Sequence, residues 1–304
     1  MEQTAKSYQE NEPAPELYPG ESTDVGPQSI LKSKPRKTYV EAMADAQYFY
    51  TDNMFLNEQG RQGADVLVST AQIALAPTPY DLGSGKLAPR LGYRHQWYDF
   101  GLASSTRLTV FDFQTQTFRS ARLNEFDFNA QTLFTDARWT RENWTVEAGL
   151  DFTRLMDTSH YEQFYREFVP RWRVQRFFPL NETMAFSVGY EGDYRFADTD
   201  LPPASFNQDF NSRTDHSLLV AYTQALCKHA VVQPYYRFKY THFTAGENRH
   251  DYLNSFGLAL YCFFTPQISV RAYAGYDIMS TSSNLVPDYK KLDAGGGVNL
   301  TIRF

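Results

Sequence analysis

The last residues of the chain alternate between apolar and polar side chains. The apolar side chains share one face of an extended strand: Val298, Leu300, Ile302 and Phe304. The polar side chains between them share the opposite face: Asn299, Thr301 and Arg303. Successive side chains of a strand point to opposite sides, so this segment is a ribbon with one apolar and one hydrophilic face. The chain therefore needs a fold that gives each face its own surroundings.

The same alternation recurs along most of the sequence and predicts an all-β fold. We expect about twelve strands of roughly 10 to 15 residues each, the length that crosses a bilayer at a tilt, built around twelve alternating segments. They are residues 40–50, 67–75, 90–97, 126–134, 144–152, 163–175, 184–193, 218–226, 232–240, 256–262, 270–278 and 298–304. In the fourth segment we expect Phe128, Ala130 and Phe134 to form the apolar face.

Composition favours a membrane barrel over a helical membrane protein. The chain is 42% hydrophobic and 16% aromatic, yet its mean hydropathy is −0.51. The longest apolar stretch, residues 257–264, is far shorter than the roughly 18 residues of a spanning helix. A barrel explains both the high hydrophobic content and the low mean hydropathy, because only every second residue of each strand meets lipid. We predict a transmembrane, antiparallel, up-and-down β-barrel over residues 38–304.

The connections between these segments alternate in length, as in barrels with short turns at one end and long loops at the other. Short turns are expected near residues 140–143, 179–182, 228–229 and 265–267. Residues 107–113 also alternate and would make a thirteenth strand. We therefore place residues 99–121 in a structured loop, which leaves twelve strands. A barrel of fourteen strands, with this stretch forming a hairpin of the wall, is the alternative.

Residues 1–37 differ from the rest of the chain. They are polar and rich in proline, and they follow neither a strand nor a helix period. We expect a disordered leader that is a linker, a plug in the lumen or a tether to a partner. No signal peptide is visible, and we expect the numbering to begin at a mature or recombinant N-terminus.

The closing strand, which ends on Phe304, resembles the last strand of bacterial outer-membrane β-barrels. Residues 48–56, with the polar loop that follows them, resemble the first hairpin of a porin-like β-barrel family, and residues 126–134 resemble one of its inner strands. Members of that family have been linked to polysaccharide export. The resemblance implies the outer membrane of a Gram-negative-type bacterium, with lipid and lipopolysaccharide around the protein. It also implies that the barrel-assembly machinery recognises an insertion signal, formed by Val298, Leu300, Ile302 and Phe304. A periplasmic or envelope protein is a further expected partner.

The polar faces of the predicted strands carry charges of both signs. We predict that ten of them line the lumen and contact solute: Arg94, Glu147, Asp151, Arg171, Arg173, Glu191, Arg237, Lys239, Arg271 and Asp277. Inward cations could guide acidic sugars or other anions. Alternatively, cations and carboxylates could pair across the lumen and hold the barrel shut.

Other kinds of site find little support in the sequence. The net charge of −6 gives no basic field for nucleic acid. No histidine is followed two positions later by serine, the spacing that places both on one face of a strand. We predict no catalytic residues, no metal site and no cofactor. Cys227, expected to face inward, and Cys262, expected to face lipid, should be too far apart for a disulfide.

Together these features predict a passive channel for small hydrophilic solutes or oligosaccharides. The alternative is a non-conducting barrel that binds a partner complex through its leader or loops.

Overall fold

The computed structural model describes residues 38–103, 107–112, 116–199, 209–246 and 248–304, without the side chains of residues 110–112. The predicted leader, residues 1–37, lies outside the described residues.

Twelve long antiparallel strands form the wall of the barrel, numbered here in chain order with the shorter elements included. They are β1 Val40–Thr51, β2 Ala64–Leu75, β4 Gly85–Phe100, β7 Phe128–Arg141, β8 Trp144–Asp157, β9 Gln163–Pro179, β10 Met184–Thr199, β11 Arg213–Cys227, β12 Ala230–Phe243, β13 His250–Phe263, β14 Ile268–Thr281 and β15 Tyr289–Arg303. The shorter elements are β3 Tyr80–Leu82, β5 Arg107–Asp112, β6 Thr117–Arg122 and a 3-10 helix, Leu123–Phe126.

The wall closes where the first strand meets the last. β1 pairs with β15 from Glu41 opposite Arg303 to Thr51 opposite Asp293. The terminal Phe304 accepts hydrogen bonds from the backbone N–H groups of Tyr39 and Val40, at 3.0 and 2.9 Å. β2 pairs with β4, and each later wall strand pairs with its neighbour in the chain. The prediction of a closed twelve-strand barrel is confirmed.

The stretch that complicated the strand count forms a hairpin outside the wall. β5 and β6 pair only with each other, within the connection from β4 to β7. A small apolar cluster of Ala64, Leu108 and Leu123 anchors this connection against the end of the barrel. The hairpin that the fourteen-strand alternative required therefore exists, but its two strands are not part of the barrel wall. One further strand, β3, pairs along β4 at the opposite end.

The two ends of the barrel differ in their connections. At one end, the turn end, four of the five connections between wall strands are two to four residues long, as between β7 and β8 or β13 and β14, and the fifth, from β2 to β4, is nine residues long and contains β3. At the other, the loop end, connections are five residues or longer. β1 begins at the turn end and β15 finishes there, as an even number of strands requires. Short turns face the periplasm in transmembrane barrels of bacteria, so we expect the loop end to face the outside.

The outward face of the wall carries an apolar band without charges. Large side chains such as Ile73, Leu133, Phe152, Phe256 and Leu258 are exposed there. Outward charges on the wall strands lie only towards strand ends: Asp65, Asp99, Arg154, Arg166, Asp198 and Lys290 at the loop end, and Arg141 and Arg176 at the turn end. A charge at the bilayer midplane costs about 2–4 kcal/mol, which explains this exclusion. None of the described residues forms a helix long and apolar enough to cross a bilayer.

Strand β7 is turned the opposite way from the expectation. Phe134 stands in register with the lumen-facing Asp151 of β8 and is 4% exposed, while Leu133 faces outward and is 55% exposed. Both faces of this strand carry apolar residues, so alternation alone could not orient it. The register of the neighbouring strands, which is fixed by their inward charges, decides the orientation.

The expected orientation of Cys227 is also wrong. A bulge between Ala225 and Cys227 shifts the register of β11 by one residue and places Cys227 opposite Ala230. Ala230 in turn pairs with Cys262, so both cysteines lie in one outward-facing row with β12 between them. Both thiols are free. The spacing of two strands, about 9.6 Å, agrees with the expected absence of a disulfide.

Candidate functional site

The structure places all ten predicted lumen residues at inward-facing register positions. Glu147, Arg173 and Glu191 share one row across β8, β9 and β10, and Ser217 and Lys239 continue that row onto β11 and β12. The others also lie at positions whose side chains face the lumen: Arg94, Asp151, Arg171, Arg237, Arg271 and Asp277. Their role in contacting solute stays a prediction.

Arg171 is the centre of one lumen network. Its guanidinium donates to Glu147 at 2.5 Å, to Asp136 at 3.1 Å and to Asp151 at 3.2 Å. Asp136 also accepts two hydrogen bonds from Arg90, both at 2.9 Å. The side chain of Asp136 is 1% exposed, so its charge depends on these two arginines. The network ties β4, β7, β8 and β9 together.

Asp215 is the centre of a second network, nearer the loop end. It accepts hydrogen bonds from Lys239 at 3.3 Å and from Arg195 at 3.2 Å. Arg213 lies 3.5 Å away, and the Thr241 hydroxyl also donates to this carboxylate. Three cations around one buried carboxylate hold β10, β11 and β12 in register.

A third set of pairs joins the closing strands. Arg271 donates to Asp45 at 2.8 Å, which links β14 to β1 across β15. Lys291 lies 2.8 Å from Asp293 and 3.5 Å from Asp277. Among the described residues, each ion pair between lumen-facing wall side chains lies within one strand or joins strands that are adjacent or separated by one strand. The charges are therefore neutralised along the wall and not across the lumen.

Several partners in these networks were not predicted from the sequence. They are Glu41, Asp45, Arg90, Asp136, Arg138, Glu167, Arg195, Arg213, Asp215, Lys291 and Asp293. Glu41, Asp45, Arg90 and Glu167 lie within the predicted segments but were not among the residues chosen. Extending the predicted alternation to the strand ends would have identified Arg195, Arg213, Asp215, Lys291 and Asp293. Asp136 and Arg138 lie on β7, whose predicted orientation was reversed, so the same extension would have placed them towards lipid.

Several cations of the lumen are left with incomplete neutralisation. Arg94 has no carboxylate within ion-pair distance among the described residues, its Nε has no hydrogen-bond partner, and its guanidinium lies 6.0 Å from the Phe134 ring. Arg173 and Arg237 share Glu191, which is 3.6 Å from Arg237. Their side chains are 46% and 42% exposed, so solvent in the lumen reaches them. Arg94 and Arg237 stand on opposite walls, because β4 and β12 are six strands apart in either direction.

Aromatic side chains cover the lumen side of β12 to β1. We call this set the aromatic wall, formed by Phe49, Tyr235, Tyr261 and Tyr273. The rings of Phe49 and Tyr273 are 6.4 Å apart, and the Tyr273 hydroxyl is hydrogen-bonded to Gln47. All four are partly exposed.

Two glycines give these rings room against the backbone. A Cβ on Gly257 would lie 2.2 Å from the Tyr235 ring, and a Cβ on Gly295 would lie 2.4 Å from the Cβ of Phe49. Glycine in a strand permits such close approach. Tyr235 therefore lies over the backbone of β13 and leaves its other face towards the lumen.

The residues of the predicted insertion signal lie on the lipid side. Val298, Leu300 and Ile302 are exposed at outward positions of β15, and Phe304 is exposed at the chain end. Recognition of these residues by assembly machinery stays a prediction.

The Arg171 network gives a prediction about stability. Replacing Arg171 with alanine leaves Asp136 and Glu147 short of a partner, which should lower the free energy of unfolding by about 3 kcal/mol. Equilibrium unfolding in phosphocholine bilayers measures this loss. Arg173→Ala is the matched control, two residues away on the same face, and should cost about 1 kcal/mol or less because that pair is more exposed. Equal losses for the two variants would contradict the assignment.

Solved structures share the fold of this chain. One is an outer membrane channel from Pseudomonas putida F1, with a TM-score of 0.54 and 11% identity over 88% of this chain and 97% of that one. Another is the β domain of the Bordetella autotransporter Brka, with a TM-score of 0.50 and 13% identity over 86% of this chain and 99% of that one. No protein-family model matches the sequence, and no curated protein is significantly similar to it. The closed wall and its charge-free outward band, together with this likeness, show that the chain has the fold of bacterial outer-membrane β-barrels, as predicted.

Proposed function

We propose that the protein is a passive channel for small hydrophilic solutes, and that acidic oligosaccharides are among them. Solute moves by diffusion through the lumen, without a catalytic step or a cofactor. The observation that carries the proposal is the presence of Arg94, Arg173 and Arg237 at the lumen surface with incomplete neutralisation. Cations of this kind attract anions into a pore and offer them guanidinium hydrogen bonds.

The arrangement of the ion pairs favours a conducting lumen over a closed one. If the charges held the barrel shut, cations and carboxylates of opposite walls would meet. The pairs among the described residues instead lie within one strand or join near-neighbour strands, as between Arg271 and Asp45 or Lys239 and Asp215. Neutralisation along the wall stiffens the barrel and leaves the lumen itself to water and solute.

The aromatic wall supports oligosaccharides as solutes. A sugar ring presents C–H groups on its faces and hydroxyls at its edge, which suits an aromatic face beside hydrogen-bonding side chains. Tyr235 and Tyr273 provide such faces, and Gln47 and Arg271 lie beside Tyr273. Arg237, two residues from Tyr235 on the same face of β12, and Arg94 on the opposite wall would then contact the carboxylates of an acidic sugar.

The alternative, a non-conducting docking barrel, and the link to polysaccharide export both stay predictions. A reconstituted barrel that shows no single-channel current in a planar bilayer would favour docking over transport.

The incompletely neutralised arginines predict the ion selectivity of the channel. The double change Arg94→Gln and Arg237→Gln removes two lumen cations and should lower the anion-to-cation permeability ratio by about twofold or more. The reversal potential in a KCl gradient across a planar bilayer measures this ratio. Arg176→Gln is the control, because Arg176 faces outward and lies 5.0 Å from the Trp144 ring. A ratio that is unchanged in the double variant would contradict a role for these cations.

The aromatic wall predicts how the channel responds to sugars. Tyr235→Ala should weaken the block of channel current by a uronic acid trisaccharide about fivefold, because one stacking contact is lost. Concentration-dependent current noise measures the binding constant. Tyr236→Ala is the matched control, since Tyr236 is the next residue of β12 and points to lipid. Equal block in the wild type and in Tyr235→Ala would show that sugars do not contact this wall.

A further inference from the structure

Two arginines stand directly opposite each other on the outward face of the barrel. Arg154 of β8 pairs in register with Arg166 of β9, three residues below the loop end of each strand. Both side chains are exposed, and Arg166 is 54% exposed. Like charges that face each other across neighbouring strands destabilise a sheet. An anion close to both guanidinium groups would therefore stabilise the pair.

The surrounding protein neutralises only part of this charge. Arg166 donates from Nε to Asp198 of β10 at 2.7 Å, and a second donor of the same guanidinium bonds to that carboxylate. Arg154 donates from Nε to the side-chain oxygen of Gln131 at 2.8 Å and has no carboxylate partner among the described residues. With two arginines and one carboxylate, the cluster keeps a net charge of about +1.

An apolar row lies directly beneath the two arginines. Two residues nearer the middle of the wall, Leu133, Phe152, Phe168 and Phe196 form a continuous outward row on the same four strands, and all four are exposed. The two rows are about 6.7 Å apart along the strands. This spacing brings a cationic row level with lipid headgroups and an apolar row level with acyl chains.

We propose that Arg154 and Arg166 bind the phosphate of a phosphorylated glycolipid in the outer leaflet. Guanidinium groups bind phosphate oxygens through paired, charge-assisted hydrogen bonds. One phosphate between the two arginines offsets their repulsion, and the acyl chains of the same lipid lie on the Phe152 and Phe168 row. The site is on the lipid face and does not depend on transport through the lumen.

The probe is diphosphorylated lipid A, added to the delipidated full-length barrel in detergent and followed by native mass spectrometry. Arg154→Gln should weaken its binding about tenfold, because charge-assisted hydrogen bonds are lost while Asp198 keeps its partner. The double variant Arg154→Gln and Arg166→Gln should lose the adduct. Arg176→Gln, an outward arginine at the turn end, is the matched control and should bind lipid A like the wild type.

A stability measurement separates binding from a folding defect. In phosphocholine bilayers without lipid A, Arg154→Gln should be at least as stable as the wild type, because the opposed charges are relieved. With lipid A present, the wild type should become the more stable of the two. The proposal would be overturned if Arg154→Gln bound lipid A as well as the wild type does, or if Arg176→Gln lost as much lipid A binding as Arg154→Gln. Displacement of lipid A by millimolar inorganic phosphate would overturn it as well.

Discussion

The structure depends on one constraint, which is that backbone hydrogen bonds cannot be left open inside hydrocarbon. Each wall strand satisfies its N–H and C=O groups with two neighbours, and the last opening is closed by β1 and β15. The chain end takes part directly, because Phe304 accepts hydrogen bonds from Tyr39 and Val40. Closure makes every strand a boundary between two environments. The period of two in the sequence then separates side chains for lipid from side chains for the lumen.

That separation explains why the two faces are stabilised so differently. The outward face needs only to exclude charge from the middle of the bilayer, and its cations are confined to the strand ends. The inward face carries its charges in networks around Arg171 and Asp215. Within each network, the paired charges come from neighbouring strands. Because these networks neutralise their charges locally, the cations left over, such as Arg94, stand out as candidates for contact with solute.

Alternation predicted all twelve wall strands, since each face of a membrane strand meets one kind of environment over its whole length. Alternation failed to predict orientation where a strand does not keep one apolar and one polar face along its whole length. β7 carries Leu133 and Phe134 on opposite faces, and a bulge in β11 reverses Cys227. The lumen residues chosen from the sequence face inward, but their partners could not be derived, because pairing depends on registers such as Arg171 beside Asp136. The hairpin β5–β6 shows that alternation alone does not tell a wall strand from a loop strand.

The most direct test of this account is nitroxide scanning along β14 in liposomes, from residue 270 to residue 277, with both native cysteines replaced by alanine. Collision rates with oxygen and with a water-soluble nickel chelate report whether each position meets lipid or water. We predict strict alternation, with oxygen favoured at Val270, Ala272, Ala274 and Tyr276 and the chelate favoured at Arg271, Tyr273, Gly275 and Asp277. Uniform values along the strand, or alternation in the opposite phase, would contradict the assignment of lipid and lumen faces.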